Sequence, residues 1–360
     1  MSATIDDVAR AAGVSVATVS RALRGLPNVA PSTRDRVLAA AAELQYVAHP
    51  QASRLATRRS QTVGFVVPML GQWYYAQLFS GVEAALAASG YDVLPFTFGG
   101  PDGVAGFFEQ LPYRKRVDGL IVVDAPLAEQ EVARVVADGL ATVTVGFTGA
   151  GAASVTVDDR AAARLAVTHL TGLGHRRIAM IGGMEDDPFH FSVPVDRRRG
   201  YVEALAAVGV TPEPGLVVPG NFSLEGGVEA MHRLLHLADP PTAVFACSDE
   251  MAIGAMQVAR DAGLAVPEDL SIVGFDDHDV SEYIGLTTVR QDVVALGETA
   301  AALLLEQLPS EPDDATGSPG ASRRQVVHPT RLVVRRTTAP PGSAEGDRGA
   351  PSAAPERTSG

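Results

Sequence analysis

The sequence predicts two kinds of structure in one chain, a small all-α unit at the N-terminus and a larger α/β body after it. The first 60 residues carry three short apolar patterns at helical spacing, separated by turn residues. From residue 61 onward, apolar strands alternate with amphipathic helical patterns, which is typical of parallel sheets with helices on both faces. With 360 residues and 46% hydrophobic side chains, the chain is long enough for two or three domains with cores of their own.

The first two helical patterns predict a helix-turn-helix. Thr4 is followed three residues later by Asp7, the spacing of a capping box, and Gly13 supplies a stop. Ser15 can cap a second helix that runs to Leu23. Two short helices joined by a glycine-containing turn form the motif that places its second helix in the major groove of DNA.

A third helix is predicted from Pro31 to about Leu44, because proline suits the first helical position. The residue before it, Ala30, has no side-chain oxygen to cap the helix, at a cost of about 1 kcal/mol. The side chains expected to face inward are Val37, Leu38, Ala41 and Leu44.

Charge is distributed unevenly along the chain. The first 60 residues carry eight arginines and four acidic residues, a local charge of +4, whereas the whole chain carries −13, so the rest carries about −17. This asymmetry favours a nucleic-acid-binding module joined to an acidic body, although a merely solvated basic end would look the same.

The segment Val-Ser-Val-Ala-Thr-Val-Ser-Arg-Ala-Leu at 14–23, followed by Asn28-Val29 and Pro31-Ser-Thr-Arg, resembles the lactose and galactose repressor (LacI/GalR) family. The similarity continues to near Ala339. It implies a ligand-responsive transcriptional regulator, most often a repressor, that binds a near-palindromic operator in double-stranded DNA as a homodimer. The expected effector is a sugar, with a nucleobase or another metabolite as the alternative.

The resemblance assigns the DNA contacts by position. Val16, Ala17 and Arg21 fall where the family reads base edges, and an arginine there can bind guanine with two hydrogen bonds. Other positions fall where the family contacts phosphates, which set the register without reading sequence. These expected backbone contacts are Thr18, Ser20, Asn28, Thr33 and Tyr46.

Residues 48–60 resemble the family's hinge, a segment that folds into a short helix on operator DNA and inserts a leucine into the minor groove. By position that leucine is Leu55, with Ala52 beside it. Opening a base step costs a few kcal/mol, which the contacts of a bent duplex offset. A plain flexible linker is the alternative for this segment.

For the body, the resemblance implies two flavodoxin-like lobes with parallel sheets, the fold of periplasmic sugar-binding proteins. Three crossovers are expected, near Asp158, near Arg290 and within 309–324. The expected domains are 1–47 for the helix-turn-helix, 48–60 for the hinge, 61–339 for effector binding and dimerisation, and 340–360 for a tail that is disordered by composition. Lobe 1 is expected at about 61–158 and 291–308, and lobe 2 at about 159–290 and 324–339.

Ligands of parallel sheets lie outside the carboxyl ends of the strands, so the residues that follow each strand are candidates for the effector site. Aromatic walls with an arginine and a carboxylate suit a polyhydroxylated ligand. Gly146 and Phe147 lie where relatives often have an acidic residue, and Ser248 lies where asparagine is common in sugar responders. The candidate effector-binding residues that follow strands are Tyr74, Tyr75, Phe147, Ser248 and Asp276, and the family resemblance adds Arg197, which matches an effector-binding arginine of many members.

Enzyme, metal and cofactor functions find little support in the sequence. His232 and His236 have metal-ligand spacing but lie in a charged helical pattern without the glutamate of a zincin. Cys247, the single cysteine, excludes an intramolecular disulfide and is expected to be a buried core thiol. We therefore expect no catalytic residues, no cofactor and no metal, with a cytoplasmic location and no membrane partner. A sugar-binding or carbohydrate-modifying protein is the competing hypothesis.

Overall fold

The computed structural model describes residues 3–23, 28–46, 60–98, 103–109, 116–125, 129–149, 151–183, 191–308 and 324–342. Most of the expected hinge therefore lies outside the described residues, including Ala52 and Leu55. Most of the expected C-terminal tail also lies outside them.

Three helices form the N-terminal unit: α1 at Ile5–Ala12, α2 at Val16–Leu23 and α3 at Pro31–Glu43. Thr4 and Asp7 form the predicted capping box on α1, with the Thr4 backbone N–H donating to Asp7 at 2.9 Å. Gly13 ends α1 in the left-handed conformation, at φ 64°. The core of the unit is centred on three fully buried valines, Val8, Val19 and Val37.

The prediction that Leu38 of α3 faces the core is wrong. Leu38 is 47% exposed, whereas Ala40 is buried beside Val37 and Ala41. Successive helix positions are about 100° apart, so a stripe through 37, 41 and 44 leaves position 38 pointing away from the core. Ala30 precedes α3 without a side-chain cap, as its sequence predicts.

The body contains two six-stranded sheets, which confirms the predicted pair of α/β lobes. In lobe 1 the strand order is β11-β5-β4-β3-β1-β2, and all pairs are parallel. The strands are β1 Thr62–Val67, β2 Asp92–Thr97, β3 Gly119–Val123, β4 Ala141–Val145, β5 Ala153–Val157 and β11 Gln325–His328. The helices are α4 Trp73–Ala87, α5 Gly103–Glu109, α6 Glu129–Ala137 and α12 Val293–Leu305. Strands β1, β3 and β4 are almost entirely buried, as expected for strands covered on both faces.

In lobe 2 the order is β12-β10-β9-β8-β6-β7, parallel except for the antiparallel pairing of β12 with β10. The strands are β6 Ile178–Gly182, β7 Val217–Pro219, β8 Ala243–Ala246, β9 Ser271–Asp276, β10 Thr287–Arg290 and β12 Arg331–Val333. The helices are α7 Asp159–Gly172, α8 Ser192–Ala206, α9 Leu224–Leu235, α10 Asp249–Asp261 and α11 Ser281–Ile284, with a 3₁₀ turn at Pro214–Leu216.

The chain crosses between the lobes three times. It crosses between β5 and α7, where Asp158 caps α7 by accepting from the Ala161 N–H at 2.9 Å, and again between β10 and α12. The third crossover was expected within 309–324, and this prediction is wrong. Residues 325–328 still belong to lobe 1, because Gln325–His328 continues its sheet in register with β5, and the chain crosses only between β11 and β12.

Candidate functional site

The predicted base-reading residues share the exposed face of α2. Val16 is 38% exposed, and Ala17 and Arg21 are exposed as well. Val19 and Ala22 occupy the opposite, buried face. The start of α2 is fixed by Ser15, whose Oγ accepts from the Thr18 backbone N–H at 3.2 Å. The core of the unit thus presents two small apolar side chains and one arginine outward.

The residues expected to contact the DNA backbone differ in how exposed they are. Asn28 is exposed, whereas Thr18, Ser20 and Thr33 are half-buried. The Thr18 hydroxyl shares a 2.9 Å hydrogen bond with Ser15. Tyr46 is half-buried and packs against the three-helix core. This packing fixes the orientation of the Tyr46 ring.

A cavity of about 280 Å³ lies between the lobes, at the carboxyl ends of the strands. Such a position is typical of ligand sites in parallel sheets. Its apolar lining is contributed by both lobes and includes Val145, Val157, Leu296, Phe191 and Phe222. The polar groups that converge on it include Gln72, Asp124, Asp159, Arg197, Asn221, Ser248, Glu250, Asp276 and Gln291.

Arg197 is the cationic centre of the cavity and is almost fully buried. Its Nε donates to Asp159 at 2.7 Å, and its Nη1 donates to the carbonyl of Cys247. Its guanidinium lies 3.5 Å from the ring centroid of Phe275, a cation–π contact that also fixes its plane. Burial raises the pKa of Asp159, and the charge of Arg197 opposes that rise.

Asp276 enters the cavity from the end of β9. Its Oδ1 accepts from the Gln291 side chain at 2.6 Å, and burial raises its pKa to about 8 against the opposing charge of Arg197. Asp276 and Asp277 have positive φ angles of 117° and 60°, conformations that non-glycine residues seldom adopt. Asp277 turns the other way and accepts from Arg335 at 2.6 Å. The two neighbouring carboxylates therefore do not form an acid/base pair.

Asp124, at the end of β3, is a cavity residue that the sequence-based assignment missed. It accepts from the Tyr75 hydroxyl, and burial raises its pKa to about 7. Its side chain occupies the space above Gly146, where a Cβ would overlap Asp124 Oδ1. A carboxylate of the neighbouring strand end thus lies directly beside Gly146. Its position directly after a buried strand was the signal that could have found it.

Five of the six candidate effector residues line the cavity: Tyr74, Tyr75, Arg197, Ser248 and Asp276. Phe147 does not line it. After Gly146, at φ 82°, the chain turns so that Phe147 packs with Val66, Phe98 and Phe108 in the core on the opposite side of the sheet. Ser248 has a structural role as well, because its Oγ accepts from the Met251 N–H and caps α10.

The remaining enzyme and metal candidates behave as surface or core groups. His232 and His236 are exposed on and beside α9, and no cluster of metal-ligating side chains is found among the described residues. Cys247 is fully buried, and burial raises its pKa to about 12, so it is no nucleophile at neutral pH. Within the described ranges, no helix is long and apolar enough to cross a bilayer.

Comparison with known proteins identifies both parts of the chain. A model of the bacterial regulatory proteins of the lacI family matches residues 4–49, and a model of periplasmic binding protein-like domains matches residues 167–338. The HTH-type transcriptional repressor CytR of Escherichia coli K12 is 37% identical over 321 residues, covering 85% of this chain and 90% of CytR. This chain belongs to the LacI family.

This LacI-family protein is a DNA-binding transcriptional regulator. The regulator MalR of Streptomyces coelicolor is 37% identical to it over 365 residues, covering 98% of this chain and all of MalR. A lac repressor dimer bound to operator and an anti-inducer matches with a TM-score of 0.81 and 29% identity, covering 94% of this chain and all of that one. A CelR–cellobiose complex matches with a TM-score of 0.65 and 32% identity, covering 93% and 99% of the two chains. A ribose-bound regulator from Enterococcus faecium matches with a TM-score of 0.66 and 28% identity, covering 78% and 99%.

Proposed function

We propose that this protein is a repressor that acts in the cytoplasm. It binds a near-palindromic operator as a homodimer, and a polyhydroxylated ligand, most simply a sugar, enters the cavity between its lobes and controls that binding. One observation carries the proposal. The same chain has an exposed face on α2, formed by Val16, Ala17 and Arg21, and a polar cavity that both lobes enclose.

The homodimer is supported by an exposed apolar surface on lobe 2. Val280, Tyr283 and Ile284 lie on or beside α11, and Tyr283 is 82% exposed. A cluster of exposed apolar side chains is typical of a protein interface. The similarity to a structure of a lac repressor dimer favours a second copy of this chain as the occupant.

The sugar assignment is supported by the chemistry of the cavity. Hydroxyl groups require hydrogen-bond acceptors and amides, which Asp124, Asp276 and Asn221 offer, while Tyr74 and Phe222 offer flat apolar faces. Two structural relatives are described as complexes with cellobiose and with ribose.

DNA contacts follow from the same proposal. Arg21, Val16 and Ala17 read base edges, and the backbone residues around α2 fix the register. Leu55 of the hinge, with Ala52 beside it, inserts into the minor groove when the dimer binds its operator.

Fluorescence anisotropy of the full chain with the upstream DNA of its own gene tests the proposal. We expect binding that depends on both half-sites and weakens steeply with salt. A sugar that raises the thermal midpoint of the protein should change this affinity by about 5- to 150-fold. Binding that is indifferent to sequence would exclude the repressor.

A further inference from the structure

The ionisable groups around the ligand cavity are unbalanced in charge. Among the described residues, four carboxylates line it, Asp124, Asp159, Glu250 and Asp276, and Arg197 supplies the one guanidinium. All four come from different strand ends or helix starts, so the imbalance is a property of the enclosed cavity rather than of one acidic loop.

Arg197 already donates hydrogen bonds to protein groups. Its Nε donates to Asp159, its Nη1 donates to the Cys247 carbonyl, and its guanidinium lies over the ring of Phe275. An anionic ligand that drew the guanidinium away from Asp159 would break this pair. Since the pair is buried, breaking it would leave an uncompensated charge.

Asp124 and Asp276 face the cavity from opposite lobes with only neutral donors on them. Asp124 accepts from the Tyr75 hydroxyl, and Asp276 accepts from the Gln291 amide at 2.6 Å. Neither forms a salt bridge with any described residue. A carboxylate offers about four acceptor sites, so each retains acceptor capacity for a ligand.

We propose that the cavity selects a ligand that donates hydrogen bonds and carries no negative charge, an unphosphorylated polyol or an amino-substituted one, and that it rejects the phosphorylated form. Hydroxyl or ammonium groups of one ligand that donate to Asp124 and to Asp276 would link the two lobes. A phosphate there would meet like charges in a desolvated site. Burial raises the pKa values of Asp124 and Asp276; a hydrogen-bond donor on either carboxylate would favour its charged form, whereas a phosphate would disfavour it further.

This inference rests on the proposed ligand site, and matched ligand pairs test it on the full chain. The pairs are ribose with ribose 5-phosphate, glucose with glucose 6-phosphate and cytidine with its 5′-monophosphate, and glucosamine tests the ammonium group. In calorimetric titration we expect the uncharged or amino member of a binding pair to bind at least 100-fold more tightly than the phosphorylated member. A phosphorylated member that binds more tightly than its partner would overturn the inference.

A second measurement, on the ligand-free protein, tests the charge imbalance on which the inference rests. The pKa values of about 7 and 8 lie above the unfolded value of about 3.9, so these carboxylates stabilise the fold most at low pH and cost stability as pH rises through 8. Asp276→Asn and Asp124→Asn should raise the thermal midpoint at pH 8.5 by roughly 3 to 10 °C and lose this advantage near pH 5.

Glu268→Gln is the matched control, because Glu268 is exposed and its substitution should leave the midpoint unchanged at both pH values. If the thermal midpoints of Asp124→Asn and Asp276→Asn do not rise at pH 8.5, the charges of the two carboxylates are compensated in the fold. That result would overturn the inference. A neutral ligand that binds in the cavity without changing operator affinity would instead refute the proposed function and leave the charge selection standing.

Discussion

Trp73, the single tryptophan of the chain, lies in the first turn of α4 in lobe 1 and stacks on His278 of lobe 2. The ring centroids are 4.7 Å apart and the planes differ by 29°. The indole Nε1 also donates to Asp279 at 3.1 Å, and the backbone N–H of Trp73 donates to Glu250, which lines the cavity. One residue therefore joins the two lobes beside the ligand site.

Because Trp73 spans the lobes, its fluorescence should report their separation. Removing the imidazole in His278→Ala should expose the indole and shift its emission to longer wavelength. His232→Ala, which removes an exposed imidazole from α9, should leave the spectrum unchanged. In the unaltered protein, a ligand that rearranges the lobes should also shift the emission. Identical spectra for the His278 variant and the parent would show that the stack does not form in solution.

Substituting Arg21 by Ala should weaken operator binding by about 5- to 150-fold, because a two-pronged contact to guanine contributes roughly 1 to 3 kcal/mol of discrimination. The loss should be confined to specific DNA and should leave ligand binding intact. Arg233→Ala, which removes an exposed arginine from α9, serves as the control. Anisotropy titrations with operator and with scrambled DNA separate the two effects. An equal loss on both DNAs would identify Arg21 as a backbone contact.

Gly146→Ala should weaken ligand binding, since the new Cβ overlaps Asp124 Oδ1 and must displace that carboxylate. Gly139→Ala is a close control, because Gly139 has nearly the same φ, 85° against 82°, but open space where its Cβ would lie. Both variants should lose about 1 kcal/mol or more of folding free energy through backbone strain. Only Gly146→Ala should lose ligand affinity in calorimetry. Equal affinities in the two variants would remove Asp124 from the ligand site.

Tyr283→Asp should convert the dimer to monomers by placing a charge in the proposed apolar interface. Sedimentation at micromolar concentration would measure the change, and operator affinity should fall together with dimerisation. Val195→Asp adds a charge at another exposed apolar position, 45% exposed on α8, and should leave the assembly unchanged. A Tyr283 variant that sediments like the parent would place the interface on another surface.

Local features of this protein could be predicted from the sequence because their causes lie within a few residues. The Thr4–Asp7 capping box, the Gly13 stop and the start of α3 at Pro31 depend on hydrogen bonds and backbone angles that span three or four positions. The alternation of strands and helices likewise follows from apolar periodicity.

The sequence by itself determined the exposed face of α2, and strand-end position together with the family resemblance placed five of the six effector candidates at the cavity. Tertiary structure decided the rest. Asp124 reaches the site through the room above Gly146, Phe147 turns into the opposite core, and Gln325–His328 pairs with β5 before the third crossover. Each depends on packing or strand register between segments far apart in the chain, which no local pattern encodes.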